Sequence, residues 1–74
     1  IGTLPHARVL VVGCGKTGAR AARQLVKLGA RDVVLVNRSL DRAEALATLI
    51  GARVAPLSAL HGEAALADVV IVAT

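Results

Sequence analysis

The chain contains no phenylalanine, tyrosine, tryptophan or methionine, and only one cysteine and two prolines in 74 residues. Without aromatic rings there is no platform on which a nucleic acid could stack its bases. A single cysteine rules out an internal disulfide and fits a reducing, cytoplasmic setting. Apolar runs are short and broken by charge, so none has the continuity of a transmembrane span. The start, Ile1-Gly2-Thr3, shows no basic-then-apolar leader, so no signal peptide is expected. Acids are scarce too: five stand against nine lysines and arginines, a formal charge of +4. That balance could steer a polyanion such as tRNA, but the arginines are spread over every element rather than gathered into a footprint. His6, His61 and Cys14 have no metal-ligand spacing, so no metal site is expected.

What is present is apolar. Hydrophobic residues make up 55% of the chain, which excludes disorder. The length allows one small domain or part of one, burying about 60% of the surface its unfolded chain exposes. The chain stops directly after Val70-Ile71-Val72-Ala73-Thr74, where a strand should hand over to a loop. Residues 1–74 therefore read as a single domain truncated from a longer protein.

Arg8–Val12 is a continuous apolar run of the kind a buried parallel strand shows. Lys16 to about Gly29 has helical spacing, with Gly18, Ala22, Leu25, Val26 and Gly29 on one face and Arg20, Arg23, Gln24 and Lys27 on the other. Asp32–Asn37 reads as a second strand. Leu40 to Ile50 reads as a second helix, N-capped by Ser39, with Ala43, Leu46, Ala47 and Ile50 as its stripe and Gly51 as its end. A short strand follows at Arg53–Ala55, and Pro56 breaks the chain. Leu57–Ala67 is a weaker helical segment interrupted by Gly62, and Asp68–Ala73 is the last strand. This βαβαβαβ alternation predicts an α/β fold, a parallel sheet of order 3-2-1-4 with helices on both faces. The architecture is the Rossmann type, its ligand crevice lying between strands 1 and 4. Asp32, Asp68 and Glu63 read as solvated element ends, and Asp41 and Glu44 suit a helix's first turns.

Gly13-Cys14-Gly15-Lys16-Thr17-Gly18 sits between the first strand and the first helix. This is a G-x-G-x-x-G turn, whose first glycine permits the bend and whose second lets pyrophosphate approach bare backbone. The third lets the helix pack closely on the strand. The helix N-terminus adds free amides and a positive dipole end, with Lys16 and Thr17 at its entrance. The glycines could also serve the tight turn alone.

The end of the second strand selects the dinucleotide. An NAD site places an acid there to bind the ribose hydroxyls; this chain has Asn37, which carries no charge to repel a 2′-phosphate. Arg38 offers a planar fork for phosphate and a face for adenine. Ser39 adds a hydroxyl and an amide, and Arg42, one helical turn on, a second positive charge. Together these favour NADP(H). The alternative is that Arg38 and Arg42 are solvated charges and Ser39 a plain cap.

The segments GCGKTG, VVLVNRSLDRAEALA, VAPLSAL and ADVVIVAT resemble the NADPH-binding domain of glutamyl-tRNA reductase from about Arg8 to Thr74. The NRS-x-x-R stretch also resembles the NADP-binding segment of shikimate dehydrogenases, which typically carry alanine where this chain has Gly18. Gly18 and the Pro56-Leu57 turn favour the reductase. The resemblance implies a pyrophosphate turn at Gly13, Gly15 and Gly18, with Lys16 and Thr17 beside it. It implies a 2′-phosphate site at Asn37, Arg38, Ser39 and Arg42, and a loop under the pyrophosphate and nicotinamide ribose at Ala73 and Thr74. It further implies a parent oxidoreductase that makes glutamate-1-semialdehyde for tetrapyrrole synthesis. Its tRNA-linked substrate would be held mainly by other domains, and one of these would join two subunits as a homodimer. The family's nucleophilic cysteine lies in a separate N-terminal domain. Cys14, in the variable position of the glycine turn, does not match it, so no catalytic residue is expected here. Two further classes fit less well: a regulatory dinucleotide sensor and an adenylating enzyme would both favour an acid at position 37.

Overall fold

The four apolar runs form one parallel sheet in the computed structural model, which describes residues 6–73. Its strands are β1 (Arg8–Val12), β2 (Asp32–Val36), β3 (Arg53–Ala55) and β4 (Val69–Val72), with helices α1 (Lys16–Lys27), α2 (Leu40–Ile50) and α3 (Leu60–Leu66) between them. The strand order is β3-β2-β1-β4, the order the alternation predicts. Arg8 pairs with Asp32 and Val12 with Val36 across β1 and β2, while Val9 pairs with Val69 across β1 and β4.

The pleat sorts the strand residues into two cores. Val9, Val11, Val33 and Leu35 are buried on one side with Ala22 of α1 and with Ala43, Leu46 and Ala47 of α2. Leu10, Val34, Val36 and Ala55 face the other side, where Leu60 and Ala64 of α3 pack against them. Alanines at the helix contacts let α1 and α2 lie close to the sheet, which fixes where their N-termini emerge.

Several boundaries differ from expectation. The first helix ends at Lys27 rather than Gly29, because Leu28 and Gly29 turn their amides back onto the carbonyls of Gln24 and Val26 at 3.0 Å each. Gly62 lies inside α3 and does not interrupt it. Packing of Leu60 and Ala64 on the sheet offsets the cost of a helical glycine, about 1 kcal/mol. The break falls earlier, in a 3-10 turn at Leu57–Ala59, where the Pro56 carbonyl accepts from the Ala59 amide at 2.9 Å. The strands β2 and β4 are shorter than Asp32–Asn37 and Asp68–Ala73. At Asp68 the side chain accepts from the Arg8 amide at 2.8 Å, while its own amide donates to the Arg8 carbonyl at 2.8 Å.

Asp32 is not a solvated element end. Its carboxylate accepts from Arg53 Nη2 at 2.7 Å and Arg8 Nε at 2.9 Å, joining three strands at their N-terminal edge. Hydrogen bonds from Arg53 and Arg8 hold its pKa below the ordinary carboxylate value. Glu63 also departs from expectation, since it is half-buried and its Oε1 is shielded with no hydrogen-bond partner among the described residues. Among the described residues β4 pairs only with β1, and Val69, Val70 and Val72 are exposed.

Candidate functional site

At the C-terminal ends of β1, β2 and β4 lies a cleft of about 440 Å³, whose walls include Gly13, Gly15, Asn37, Arg38, Leu57 and Ala73. This is the switch point of the sheet, where chain connections leave β1 in opposite directions and open a crevice. A larger groove of about 940 Å³ runs along the outer sides of α1 and α2, between residues such as Arg20, Arg23 and Leu49. It meets no strand end and none of the three turn glycines, so the smaller cleft is the candidate site.

The glycine turn is built as its spacing predicts. Gly13 has φ of 99°, a conformation that side-chain-bearing residues rarely adopt, and its amide donates to the Val36 carbonyl at 2.8 Å. Gly18 is buried, and a Cβ placed on it would collide with the Gly13 carbonyl, lying 2.8 Å from its carbon. The third glycine thus permits the contact between α1 and the turn. A Cβ on Gly15 would meet nothing within 4 Å, so that glycine leaves the backbone bare toward open space. Gly15 is also the N-cap of α1, with no side-chain cap and no acid in the first turn. The first amides of a helix have no intrahelical acceptor, and here no side chain supplies one. Free donors and a positive dipole end are the features that suit an anion.

On the β2 side, Asn37 Oδ1 accepts from the Cys14 amide at 3.1 Å, and its Nδ2 donates to the Ser39 carbonyl at 3.1 Å. Ser39 caps α2 as expected, its Oγ accepting from the Arg42 amide at 3.4 Å. The Ser39 hydroxyl hydrogen stays free to donate elsewhere. Arg38 and Arg42 are exposed, and among the described residues neither forms an ion pair with a carboxylate. Ala73 is held beside β1 by its amide, which donates to the Val12 carbonyl at 2.9 Å.

The structure therefore gathers Gly13, Gly15, Asn37, Arg38 and Ala73 around one cleft, with Gly18 packed beneath the turn. Lys16, Thr17, Ser39 and Arg42 are exposed and do not line it, and Lys16 borders the outer groove instead. Thr74 lies outside the described residues. Sequence reasoning treated Leu57 as part of a turn, yet it lines the cleft at 49% exposure. The signal for it was its place just after β3 and Pro56, at the same sheet end as the glycines. Cys14 is buried, and desolvation pushes its thiol pKa up. His6 and His61 are exposed.

Comparison with known proteins places this geometry among dehydrogenase domains. The model of the shikimate / quinate 5-dehydrogenase family matches residues 1–74. A glutamyl-tRNA reductase of Kineococcus radiotolerans is 45% identical over 74 residues, all of this chain and 16% of that protein. One of Myxococcus xanthus is 48% identical over 66 residues, 89% of this chain and 15% of that protein. The solved glutamyl-tRNA reductase from Methanopyrus kandleri superposes with a TM-score of 0.89 at 39% identity, covering all of this chain and 18% of that one. The chain thus spans 15 to 16% of the length of these two curated relatives. Residues 1–74 belong to the shikimate / quinate 5-dehydrogenase family.

Proposed function

We propose, with that membership as the premise, that the chain is the NADPH-binding unit of a longer oxidoreductase, a glutamyl-tRNA reductase. The parent protein would reduce the glutamyl group carried on tRNA to glutamate-1-semialdehyde, the entry into tetrapyrrole synthesis. One observation carries the cofactor reading: the N-terminus of α1, with no side-chain cap, and Arg38, without an ion pair among the described residues, border the same cleft. Residues 1–74 hold the dinucleotide, and domains beyond them hold glutamyl-tRNA, supply the nucleophile and join two subunits as a homodimer.

The residues present fit the dinucleotide. Gly15 leaves its backbone bare toward open space, with nothing within 4 Å of where a Cβ would stand, and the first amides of α1 suit the charge of a pyrophosphate. Arg38 and Arg42, with no acid in ion-pair contact among the described residues, suit a 2′-phosphate, and the Ser39 hydroxyl adds a donor. Leu57 offers an apolar wall and Arg38 a planar face for adenine. Ala73, which follows β4 and lines the cleft, would lie at the pyrophosphate and nicotinamide ribose. When bound, NADPH supplies the hydride. The chain's own residues fix the position of the ring and add no acid or base.

The glutamyl-tRNA reductase branch is favoured by Gly18, since alanine there would drive its Cβ into the Gly13 carbonyl. The second reading, an NADP unit of a shikimate or quinate dehydrogenase, rests on the family description. The full-length protein is expected to reduce glutamyl-tRNA with NADPH, and to leave dehydroshikimate unreduced with NADPH and shikimate unoxidised with NADP+. Turnover of the latter pair alone would select the second reading.

A further inference from the structure

The glycine turn and the loop after β2 are separate stretches of chain, yet one side chain is bonded to both. Asn37 Oδ1 accepts from the Cys14 amide and Asn37 Nδ2 donates to the Ser39 carbonyl, each at 3.1 Å. The chemistry fixes the amide orientation, because a flipped amide would set donor against donor and acceptor against acceptor. We infer that Asn37 is a positioning residue that couples the two ends of the dinucleotide site, setting the pyrophosphate turn and the 2′-phosphate loop relative to each other. This rests on the dinucleotide reading above but adds a role distinct from direct contact with phosphate.

Four features support the coupling. Among the described residues no other side-chain hydrogen bond joins the two loops, so the link depends on one residue. The turn is already tied to β2 by the Gly13 amide on the Val36 carbonyl at 2.8 Å, and Asn37 extends that tie by one residue. Occupying the Cys14 amide leaves the next donors, those opening α1, as the first free ones facing a ligand. On the other loop, Ser39 is both the cap of α2 and the residue after Arg38, so fixing its carbonyl fixes the guanidinium's anchor.

Aspartate is the informative replacement. It is nearly isosteric and can still accept from the Cys14 amide, but it cannot donate to the Ser39 carbonyl. An acid at this position would thus keep the turn in place while releasing the loop that carries Arg38. The amide would therefore act on cofactor choice by geometry as well as by its lack of charge.

The test uses the full-length protein with Asn37→Ala and Asn37→Asp, titrated calorimetrically with NADPH and NADH. Hydrogen exchange of peptides covering residues 13–18 and 38–43 is followed without cofactor. Losing both bonds in Asn37→Ala is expected to weaken both dinucleotides by a similar factor, roughly tenfold, and to speed exchange in both peptides. In Asn37→Asp, exchange in residues 13–18 should stay slow and NADH affinity should hold within about twofold, while NADPH affinity falls at least tenfold. Rescue of the turn by aspartate is something a purely phosphate-contacting asparagine would not produce. If Asn37→Ala weakens NADPH alone and leaves exchange unchanged, the positioning role is overturned and Asn37 acts only on the phosphate. If the wild-type protein binds neither dinucleotide, the cofactor reading fails, and the exchange pattern alone decides whether Asn37 holds the two loops.

Discussion

Two helices begin at the same end of this sheet, and they treat their first amides in opposite ways. The helix α2 satisfies itself: Ser39 Oγ accepts from the Arg42 amide, and Asp41 in the first turn faces the positive dipole end. The helix α1 has a glycine N-cap, no side-chain acceptor and no acid in its first turn. Capping is worth about 1 kcal/mol and a first-turn acid up to about 1 kcal/mol more, so α1 forgoes stability that α2 takes. The difference fits the two tasks proposed for them. Donors left free at α1 suit an anion bound by backbone, whereas the satisfied α2 presents side chains, Arg38 before its cap and Arg42 behind it. Backbone recognition suits the pyrophosphate common to all dinucleotides, and side-chain recognition suits the one phosphate that distinguishes NADPH.

Substitutions at two glycines of the turn should break the comparison most severely, by different routes. Gly18→Ala forces its Cβ onto the Gly13 carbonyl, and it is expected to destabilise the fold by about 2 kcal/mol and to abolish dinucleotide binding. Gly15→Ala meets no neighbour, so stability read from thermal melting should fall only by the cost of a poorer N-cap, about 1 kcal/mol and less than for Gly18→Ala, while dinucleotide binding is still lost. Melting curves and titrations of the pair separate a packing role from a ligand role. Equal loss of stability in both would contradict the assignment.

A smaller effect sharpens the same contrast. Thr17→Asp gives α1 the first-turn acid that α2 already has. Its stability should rise by about 0.5 kcal/mol, read from urea unfolding, while affinity for both NADPH and NADH falls. A gain in stability without a loss of affinity would mean that the α1 terminus is not the anion site.

The smallest effect is expected at the opposite edge of the sheet, where Asp32 joins Arg8 and Arg53. The Asp32 pKa is lowered by those hydrogen bonds, so its contribution is fully present above the unfolded carboxylate value of about 4. It is lost as pH falls below that value toward the folded pKa. Asp32→Asn should therefore be less stable than wild type at pH 7, with the gap closing in acid, and cofactor affinity should not change. Because the carboxylate is about one-third exposed, the difference should be small.

Much of this site was legible as pattern. The glycine spacing, the polar Asn37-Arg38-Ser39 step after an apolar strand and the N-cap of α2 are local features, and local geometry delivers them. What was not legible depends on distances between elements. The Asn37 amide finds the Cys14 amide only because β1 and β2 lie in register. That same register sets Arg8 beside Asp32, which turned an apparent solvated end into an ion pair. Gly62 was misread because helix propensity was weighed without the sheet against which Leu60 and Ala64 pack. Leu57 escaped because a turn residue's side chain has no periodicity to give its direction.

The most direct test of the account is a calorimetric titration of wild type and Arg38→Ala with NADPH and NADH in moderate salt. The account predicts that wild type prefers NADPH, and that Arg38→Ala loses ten- to a hundredfold in NADPH affinity with NADH unchanged. Equal affinity of the wild type for both dinucleotides, or equal loss of both in Arg38→Ala, would contradict it.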